Sequence, residues 1–270
     1  APMTDMNCVA DPFEHLHDEA FELPFLAPLL TAGGEVFMGG RTTQSLNGVW
    51  RFTLDPMREG LRQRWFAHDD IPIDDWITPR DYDDGAWQSV AVPGCWTMQH
   101  PEWRHYEGAA WYSRSFHADL PRNGDRVLLR VGAANERARV FLNGAFLGLH
   151  VGGSTPFFAD LTAHLRPGAN NLMIEVDNTR RTDAVPMQHF DWFNHGGIHR
   201  DVELVTVPAV CINRLFLQLV ERGIAVDVGL SLHVDGIATL DFAGLGQFEI
   251  NIVGGAGTVL LDLSPELWSP

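Results

Sequence analysis

The segment Val140-Phe141-Leu142-Asn143-Gly144-Ala145-Phe146-Leu147 carries the strongest fold signal in the sequence. A two-residue Asn-Gly loop favours a type I′ turn, because both residues tolerate a positive φ angle. This turn predicts a β-hairpin with three facing pairs: Leu142 with Ala145, Val140 with Leu147, and Ala138 with Leu149. All six side chains then lie on one face, as a core-facing hairpin requires.

Short alternating segments continue the strand pattern on both sides of this hairpin. Apolar and polar residues alternate over 48–54, 111–116 and 126–131. Residues 172–177 predict a further half-buried strand, with Leu172, Ile174 and Val176 on its apolar face. Helical periodicity is weak throughout. We therefore predict an all-β chain whose main domain, residues 45–208, is a jelly-roll β-sandwich of the galactose-binding-like kind.

Composition separates the chain into three regions. Residues 1–44 are rich in proline and paired glycines and predict an irregular arm, whose apolar segment 23–30 docks on the body. After Pro208 the sequence becomes aliphatic, and Trp268 alone of the 9 tryptophans lies there. Strand-like runs at 215–220, 224–234, 248–253 and 258–263 predict a second, immunoglobulin-like sandwich over residues 209–270. Its length falls short of the typical ~100 residues, so we expect it to be incomplete.

Charge and cysteine content exclude several classes of function. The formal net charge is −16, and all 19 basic residues are arginines. This balance argues against binding to nucleic acid or to an anionic membrane surface. Because lysine is absent, a P-loop lysine and a lysine Schiff base are excluded. The 3 cysteines are widely spaced and predict neither a disulfide framework nor a metal site. No cofactor is predicted, and a neutral hydrogen-bonding ligand such as a sugar is compatible.

The sequence gives weak signals about location. No stretch approaches the roughly 20 apolar residues of a membrane span. The first residues are acidic and lack the basic start of a signal peptide, which favours the cytoplasm over secretion. A signal peptide already removed remains open, because the chain does not begin with methionine. His15 and His17 stand among acidic residues without a zinc spacing, so a solvated acidic arm is expected there.

An aromatic-rich polar loop at residues 191–195 is the candidate ligand site. It leads through Gly196-Gly197 into an alternating segment, so Asp191 is expected among aromatic rings at the mouth of a β-structure. A carboxylate can accept hydrogen bonds from sugar hydroxyls, and ring faces can pack on sugar C–H groups. The alternative is that Asp191 pairs with Arg200 or caps a turn. The two glycines indicate a tight turn.

Seven motifs, in the same order, resemble those of glycoside hydrolase family 2, which contains β-galactosidases, β-glucuronidases and β-mannosidases. The motifs are residues 45–52, 92–96, 106–112, 140–144, 152–157 followed by Asp160, 191–200, and 267–270. The resemblance implies a retaining glycosidase, in which one carboxylic acid protonates the leaving oxygen. A second carboxylate, about 5–5.5 Å away, attacks the anomeric carbon.

The resemblance places both catalytic glutamates in an α/β-barrel domain that this chain lacks. We therefore predict no catalytic residue here, and we expect the chain alone to be inactive. Asn135-Glu136, the Asn-Glu dipeptide of the sequence, is predicted to open a hairpin strand. The resemblance implies that Asp191 hydrogen-bonds the sugar in the terminal subsite. Trp192, Asn194 and His195 are the other predicted substrate-binding residues.

One loop departs from the pattern of the β-galactosidases. Many of them carry an asparagine after the tyrosine that corresponds to Tyr106, whereas Glu107 and Gly108 stand here. Residues 191–200 are more similar to those of β-glucuronidases. Three functions remain open: the N-terminal portion of a β-glycoside hydrolase partnered by a barrel, a free-standing lectin-like module, and a purely structural assembly domain. A homo-oligomer is compatible with each.

Overall fold

The protein is almost entirely β in the computed structural model, which describes residues 22–31, 40–70, 87–220, 223–231, 233–242 and 246–262. The all-β prediction is confirmed. The strands up to residue 207 are β1 (Thr42–Ser45), β2 (Gly48–Asp55), β3 (Gln88–Val92), β4 (Gly94–Cys95), β5 (Ala109–Ala118), β6 (Arg126–Val131), β7 (Ala134–Asn135), β8 (Arg137–Leu142), β9 (Ala145–Val151), β10 (Phe157–Asp160), β11 (Gly168–Asp177), β12 (Gly197–Ile198) and β13 (Val202–Val207).

Helical structure in the described residues is short. There are two single-turn α-helices, α1 (Glu59–Arg62) and α2 (Trp96–Gln99). Four 3₁₀ segments accompany them: Leu23–Phe25, Trp65–Asp70, Pro101–Trp103 and Thr162–His164. No helix in this part of the chain is long and apolar enough to cross a membrane.

Two sheets pack face to face, which confirms the predicted sandwich. One sheet has six strands in the order β3-β2-β5-β11-β8-β9, and the other has four in the order β1-β13-β6-β10. A single apolar cluster fills the space between them, with Trp50, Tyr112 and Ile174 from the first sheet and Leu129 and Phe157 from the second. Alternation along each strand directs these side chains inward.

The hairpin turn forms as predicted, but the register beyond it does not. Asn143 and Gly144 have φ angles of 49° and 88°, as a type I′ turn requires, and Leu142 faces Ala145. A bulge between Val140 and Phe141 then shifts the pairing, so Val140 faces Gly148 and Arg139 faces Leu149. The predicted pairs Val140 with Leu147 and Ala138 with Leu149 are therefore wrong.

The N-terminal segment approaches β9 at Gly148, where the shifted register places a glycine. Leu149 N–H donates to the Pro28 carbonyl at 2.9 Å, and Leu30 N–H donates to the Leu149 carbonyl at 2.7 Å. A Cβ on Gly148 would lie 2.6 Å from the Pro28 oxygen, and its φ of +151° also favours glycine. Close approach of another segment is a common reason for a glycine inside a strand.

Strand β11 is buried on both faces, so the prediction of a half-buried strand is wrong. Leu172, Ile174 and Val176 face the sandwich core as expected. On the other face, Met173 packs in a second cluster that includes Phe141, and Phe25 of the N-terminal segment packs against that cluster. Residues of the 59–67 segment also belong to this cluster and cover the same face of β11. The docking of segment 23–30 on the body is confirmed by these contacts.

A buried cluster of charged side chains lies on the same outer face. Arg139 is fully buried and donates to Glu175 at 2.6 Å and to Glu22 at 2.7 Å. Arg58 contacts Glu22 at 2.5 Å and Asp177 at 3.3 Å. Burial raises the pKa of Glu175, against the attraction of Arg139. Burial also disfavours ionisation of Asp177, but Arg58 and hydrogen bonds from Thr179 outweigh it and hold that pKa below its usual value.

Five further strands follow residue 207, in a three-stranded sheet of order β14-β15-β18 and a two-stranded sheet. They are β14 (Ile212–Val220), β15 (Gly223–Leu230), β16 (Gly236–Phe242), β17 (Gly246–Ile252) and β18 (Ala256–Asp262). Val226, Leu240 and Ile250 belong to their shared core. Strand β16 was not predicted, and the second predicted run extends to residue 234, although β15 ends at Leu230. The motif at 267–270 and the histidine cluster near His15 lie outside the described residues.

Candidate functional site

A small three-stranded sheet contains the strand that follows the C-terminal end of the candidate loop. Its order is β4-β12-β7, and Gly197 of β12 faces Cys95 on one side and Asn135 on the other. Trp96 N–H donates to the Gly196 carbonyl at 3.0 Å. Residues 191–195 therefore lead directly into a strand that is paired on both sides.

Gly196 and Gly197 belong to this strand region, so the predicted tight turn is wrong. A Cβ on Gly196 would lie 2.0 Å from Trp96 Cζ2, and the indole of Trp96 is fully buried. Gly197 has a φ of +138°, and a Cβ there would lie 2.6 Å from the Gly94 carbonyl oxygen. Close packing at Gly196, and close packing with a positive φ at Gly197, explain the two glycines.

Two reciprocal hydrogen bonds join Asn194 to Asn178, the residue that follows β11. Asn178 Nδ2 donates to the Asn194 carbonyl at 2.9 Å, and Asn194 Nδ2 donates in return to the Asn178 carbonyl. Asn135 Nδ2 donates to Asn194 Oδ1 at 3.0 Å. Asn178 Oδ1 also accepts from Gly108 N–H at 2.8 Å, which ties in the 106–108 loop. Both groups of the Asn194 amide are thus engaged within the protein, so its side chain holds the loop in place.

Asp191 lies at an open cavity of about 260 Å³. Its carboxylate forms no hydrogen bond or ion pair with the described residues. Arg200, the partner in the alternative prediction, instead donates from Nη1 to the Ser154 carbonyl at 3.1 Å. The residues that line the cavity are Arg104, His105, Tyr106, Glu107, Arg180, Phe190, Asp191, Trp192, Phe193 and Asn194.

Aromatic side chains line the same cavity as Asp191. The side chains of Phe190, Trp192 and Phe193 are exposed at 47%, 61% and 50%, although such rings are usually largely buried. Phe190 and Trp192 contact each other with ring centroids 5.5 Å apart. Phe193 lies beneath the guanidinium of Arg104, 5.8 Å from its ring centroid. Exposed rings beside a free carboxylate provide both kinds of contact that a sugar requires.

His195 is not among the residues that line the cavity. Its ring stacks on Phe193 at 5.3 Å, and its Nδ1 lies 2.9 Å from Thr97 Oγ1 of α2. The structure therefore brings Asp191, Trp192 and Asn194 to the cavity, and places the exposed His195 against Phe193. In this position His195 supports the aromatic surface.

Arg180 is the residue of the site that sequence reasoning missed. Its Nε donates to both carboxylate oxygens of Glu107, at 2.9 and 3.0 Å. Its Nη1 donates to the Phe190 carbonyl at 2.8 Å, and Nη2 donates to the Trp192 carbonyl. These partners lie 73, 10 and 12 positions from Arg180 in the chain, so a local sequence pattern could not predict the contacts. The signal that the sequence did offer was Glu107, which departs from the pattern of the β-galactosidases.

The pKa is raised for two further titratable groups near the loop, Tyr106 and Glu136. Among the described residues, no group of three His, Cys, Asp or Glu side chains could hold a metal ion. Burial raises the pKa of Tyr106, whose hydroxyl donates to the Ala109 carbonyl at 2.6 Å and stays protonated. Burial also raises the pKa of Glu136, which lies between β7 and β8. The Asn-Glu dipeptide therefore precedes the hairpin strand and, contrary to the prediction, does not open it, because Asn135 ends β7.

Comparison with known proteins agrees with these observations. Residues 43–208 match the family model described as glycosyl hydrolases family 2, sugar binding domain. A β-glucuronidase of Paenibacillus borealis is 28% identical over 85% of this chain and 40% of its own length. That of Canis lupus familiaris is 29% identical over 76% of this chain and 36% of its own. A solved β-glucuronidase from an uncultured Clostridium sp. has a TM-score of 0.64 and 26% identity, covering 84% of this chain and 40% of that one.

The chain spans about two-fifths of the length of these relatives. The family model covers more than half of the chain and the whole of the sandwich that carries the candidate loop. On this match the chain belongs to glycoside hydrolase family 2.

Proposed function

We propose that the chain is the N-terminal portion of a retaining glycoside hydrolase that acts on β-glycosides. In this proposal the sandwich is a scaffold, and the 191–195 loop forms part of the terminal sugar subsite. A barrel domain outside this chain supplies the two catalytic carboxylates, spaced about 5–5.5 Å apart. Family membership supports the reaction class. The names of the relatives support a β-glucuronide as the first substrate to test. We keep residues 45–208 and 209–270 as the proposed domain boundaries.

The observation that carries the proposal is the unpartnered carboxylate of Asp191 at an aromatic-lined cavity. An ionised carboxylate only accepts hydrogen bonds, so it matches two neighbouring sugar hydroxyls. The cavity, about 260 Å³, is somewhat smaller than typical ligand sites of ~300–1,000 Å³. It therefore suits part of a glycoside, with further walls supplied by another domain.

The candidate residues take different roles within this subsite. Asp191 accepts hydrogen bonds from the sugar, and the exposed ring of Trp192 packs on its C–H face. Asn194 keeps the loop attached to Asn178, while the His195 ring stacks on Phe193. The last two act by shaping the site and need no contact with the ligand.

Saturation-transfer NMR with phenyl β-D-glucuronide and phenyl β-D-galactoside tests the subsite directly. The wild-type chain should give a signal with at least one glycoside, and Asp191→Asn should remove most of it. A charge-assisted hydrogen bond contributes about 1.5–3 kcal/mol, so the loss corresponds to roughly tenfold or more in affinity. Asp119→Asn is the matched control, because Asp119 is an exposed aspartate in the turn after β5. Equal signals from the wild-type chain and Asp191→Asn would refute the role of Asp191.

The strength of binding separates this proposal from a free-standing carbohydrate-binding module. A subsite with one wall missing should bind weakly, with a dissociation constant near 1 mM or above, about −4 kcal/mol. The chain alone should also hydrolyse no nitrophenyl β-glycoside. Micromolar affinity of the isolated chain would favour the module instead, and turnover above a heat-treated control would contradict the need for a barrel.

A further inference from the structure

Arg180 contacts the candidate loop on both sides of Asp191. Its Nη1 and Nη2 donate to the carbonyls of Phe190 and Trp192, the residues that precede and follow Asp191. Its Nε donates to the Glu107 carboxylate at 2.9 and 3.0 Å. One guanidinium thus joins the 106–108 loop to two peptide groups of the site loop. The planar fork of arginine suits such multiple contacts, whereas a lysine ammonium would not reproduce them.

These contacts restrict the backbone at Asp191. Each residue has only two soft backbone dihedrals, because the peptide units themselves are planar. Fixing the planes that carry the Phe190 and Trp192 carbonyls therefore restricts the dihedrals of Asp191 and Trp192. The direction in which the Asp191 side chain leaves the backbone is set by the same restriction.

Little else in the described residues holds this part of the loop. The rings of Phe190, Trp192 and Phe193 are each about half exposed. The nearest other anchors are the hydrogen bond from Phe190 N–H to the Met187 carbonyl at 3.5 Å, the Asn194–Asn178 hydrogen bonds and the pairing of Arg181 with Met187. None of them engages the two peptide groups that flank Asp191.

Glu107 completes the arrangement by its charge. A free arginine beside Asp191 would compete with a ligand for that carboxylate, because charge-assisted pairs are the strong ones. Here the Arg180 cation is bound to Glu107, with side-chain exposures of only 19% and 33%. The Asp191 carboxylate is left as an acceptor.

We infer that the Glu107–Arg180 pair positions Asp191 to accept hydrogen bonds from a sugar hydroxyl, an inference that rests on the function proposed above. Arg180 is a positioning residue in this arrangement. It acts through the backbone of the loop, and Glu107 acts by holding Arg180.

Loop order can be measured without any ligand. Heteronuclear ¹H–¹⁵N NOE values at the Asp191 and Trp192 amides should fall in Arg180→Ala, while those of β11 stay unchanged. Arg130→Ala is the matched control, because Arg130 forms an Arg–Glu pair with Glu203 on the other sheet. It should leave the NOE values of the loop unchanged. Unchanged values at Asp191 in Arg180→Ala would overturn the inference.

Binding supplies the second readout. Arg180→Ala should weaken binding of phenyl β-D-glucuronide about tenfold, or 1.4 kcal/mol, with the melting temperature of the chain nearly unchanged. Millimolar guanidinium chloride should restore part of the binding in Arg180→Ala but none in Asp191→Asn. Glu107→Gln should weaken binding less than Arg180→Ala, since the amide oxygen still accepts a hydrogen bond. Full affinity in Arg180→Ala would also overturn the inference.

The two readouts separate the inference from the function on which it rests. If the wild-type chain binds no glycoside, the proposed subsite fails, and the NOE values still decide whether Arg180 orders Asp191. If the melting temperature of Arg180→Ala collapses and guanidinium restores nothing, Arg180 has a general structural role and the inference is wrong.

Discussion

Replacement of Arg139 by methionine should destabilise the first sandwich strongly. The Arg139 side chain is fully buried, and its guanidinium contacts Glu175 at 2.6 Å and Glu22 at 2.7 Å. Methionine fills a similar volume but leaves Glu175, 2% exposed, without its cation. Breaking a buried ion pair on one side costs about 3–5 kcal/mol, because an uncompensated charge stays behind. We expect a loss of free energy of unfolding in that range at pH 7.5.

The loss should depend on pH in a defined direction. Burial already raises the pKa of Glu175 in the native protein, and removal of Arg139 takes away the main opposing cause. An acid whose pKa is raised by folding contributes most stability below its unfolded pKa, and loses that contribution as the pH rises through the folded value. The deficit of Arg139→Met should therefore be largest at pH 7.5 and shrink towards pH 4.5.

Urea denaturation followed by tryptophan fluorescence measures both effects, since all but one of the 9 tryptophans precede Pro208. With a slope of about 2–3 kcal/mol/M, the midpoint at pH 7.5 should fall by roughly 1–2 M. Arg139→Met/Glu175→Met should recover most of the loss, because the double variant leaves no charge at either position and Glu22 keeps Arg58 at 2.5 Å. Arg130→Met, at a more exposed pair, should cost less than about 1 kcal/mol. An unchanged midpoint at pH 7.5, or equal deficits at both pH values, would refute the reasoning.

Three further substitutions test the hairpin and the end of the site loop by the same denaturation assay. Gly144→Val should cost about 1–3 kcal/mol because the φ of 88° strains a β-branched residue, and no change would argue against the type I′ turn. Leu142→Ala should cost about 2–5 kcal/mol, since Leu142 is fully buried; a loss below 1 kcal/mol would contradict its place in the core. Gly196→Ala should cost about 1–3 kcal/mol by overpacking against Trp96, 2.0 Å from the new Cβ, and a wild-type midpoint would count against that contact.

The sequence predicts the inner face of the sandwich well, because alternation and turn chemistry are local. The Asn143-Gly144 turn, the pair Leu142 with Ala145 and the inward face of β11 all follow from residues close together in the chain. Strand β16 carries the same kind of signal: Ala238, Leu240 and Phe242 alternate with more exposed residues, so it was within reach of the same reasoning.

The outer face could not be predicted because distant segments cover it. Met173, Glu175 and Asp177 have the pattern of a solvent-facing row, yet all three are buried. Met173 packs with the segment at Phe25 and the 59–67 segment, while Arg139 contacts Glu175 and Arg58 contacts Asp177. The close approach of the N-terminal segment to β9 also explains the register shift. Because Gly148 has no side chain, the Pro28 carbonyl can come within hydrogen-bonding range of β9. A glycine inside a strand signals such an approach, but it does not say which segment comes close.

Prediction of the candidate site has a similar limit. The aromatic and acidic composition of 191–195, together with the resemblance to family 2, selected Asp191 and Trp192 as predicted ligand contacts, and the subsite itself stays a prediction. Composition could not separate Asn194, whose amide is engaged inside the protein, from a residue free to touch a ligand. The contacts of Arg180 could not be predicted from the sequence, because each of its partners lies ten or more positions away in the chain.

The end of β11 joins the buried charges to the candidate site. Asp177 belongs to the buried cluster and also accepts from Thr179 N–H at 2.8 Å, which fixes the chain just beyond the strand. The next residue, Asn178, donates a hydrogen bond to the Asn194 carbonyl. Two residues later, Arg180 donates to the Phe190 carbonyl at the start of the loop. Glu22 and Arg58 contact the same cluster from segments outside the sheet. The end of β11 is therefore a common attachment point for these covering segments and for the candidate loop. The candidate loop is thus connected, through the end of β11, to segments that lie far from it in the chain, and a change in those segments is expected to alter the loop.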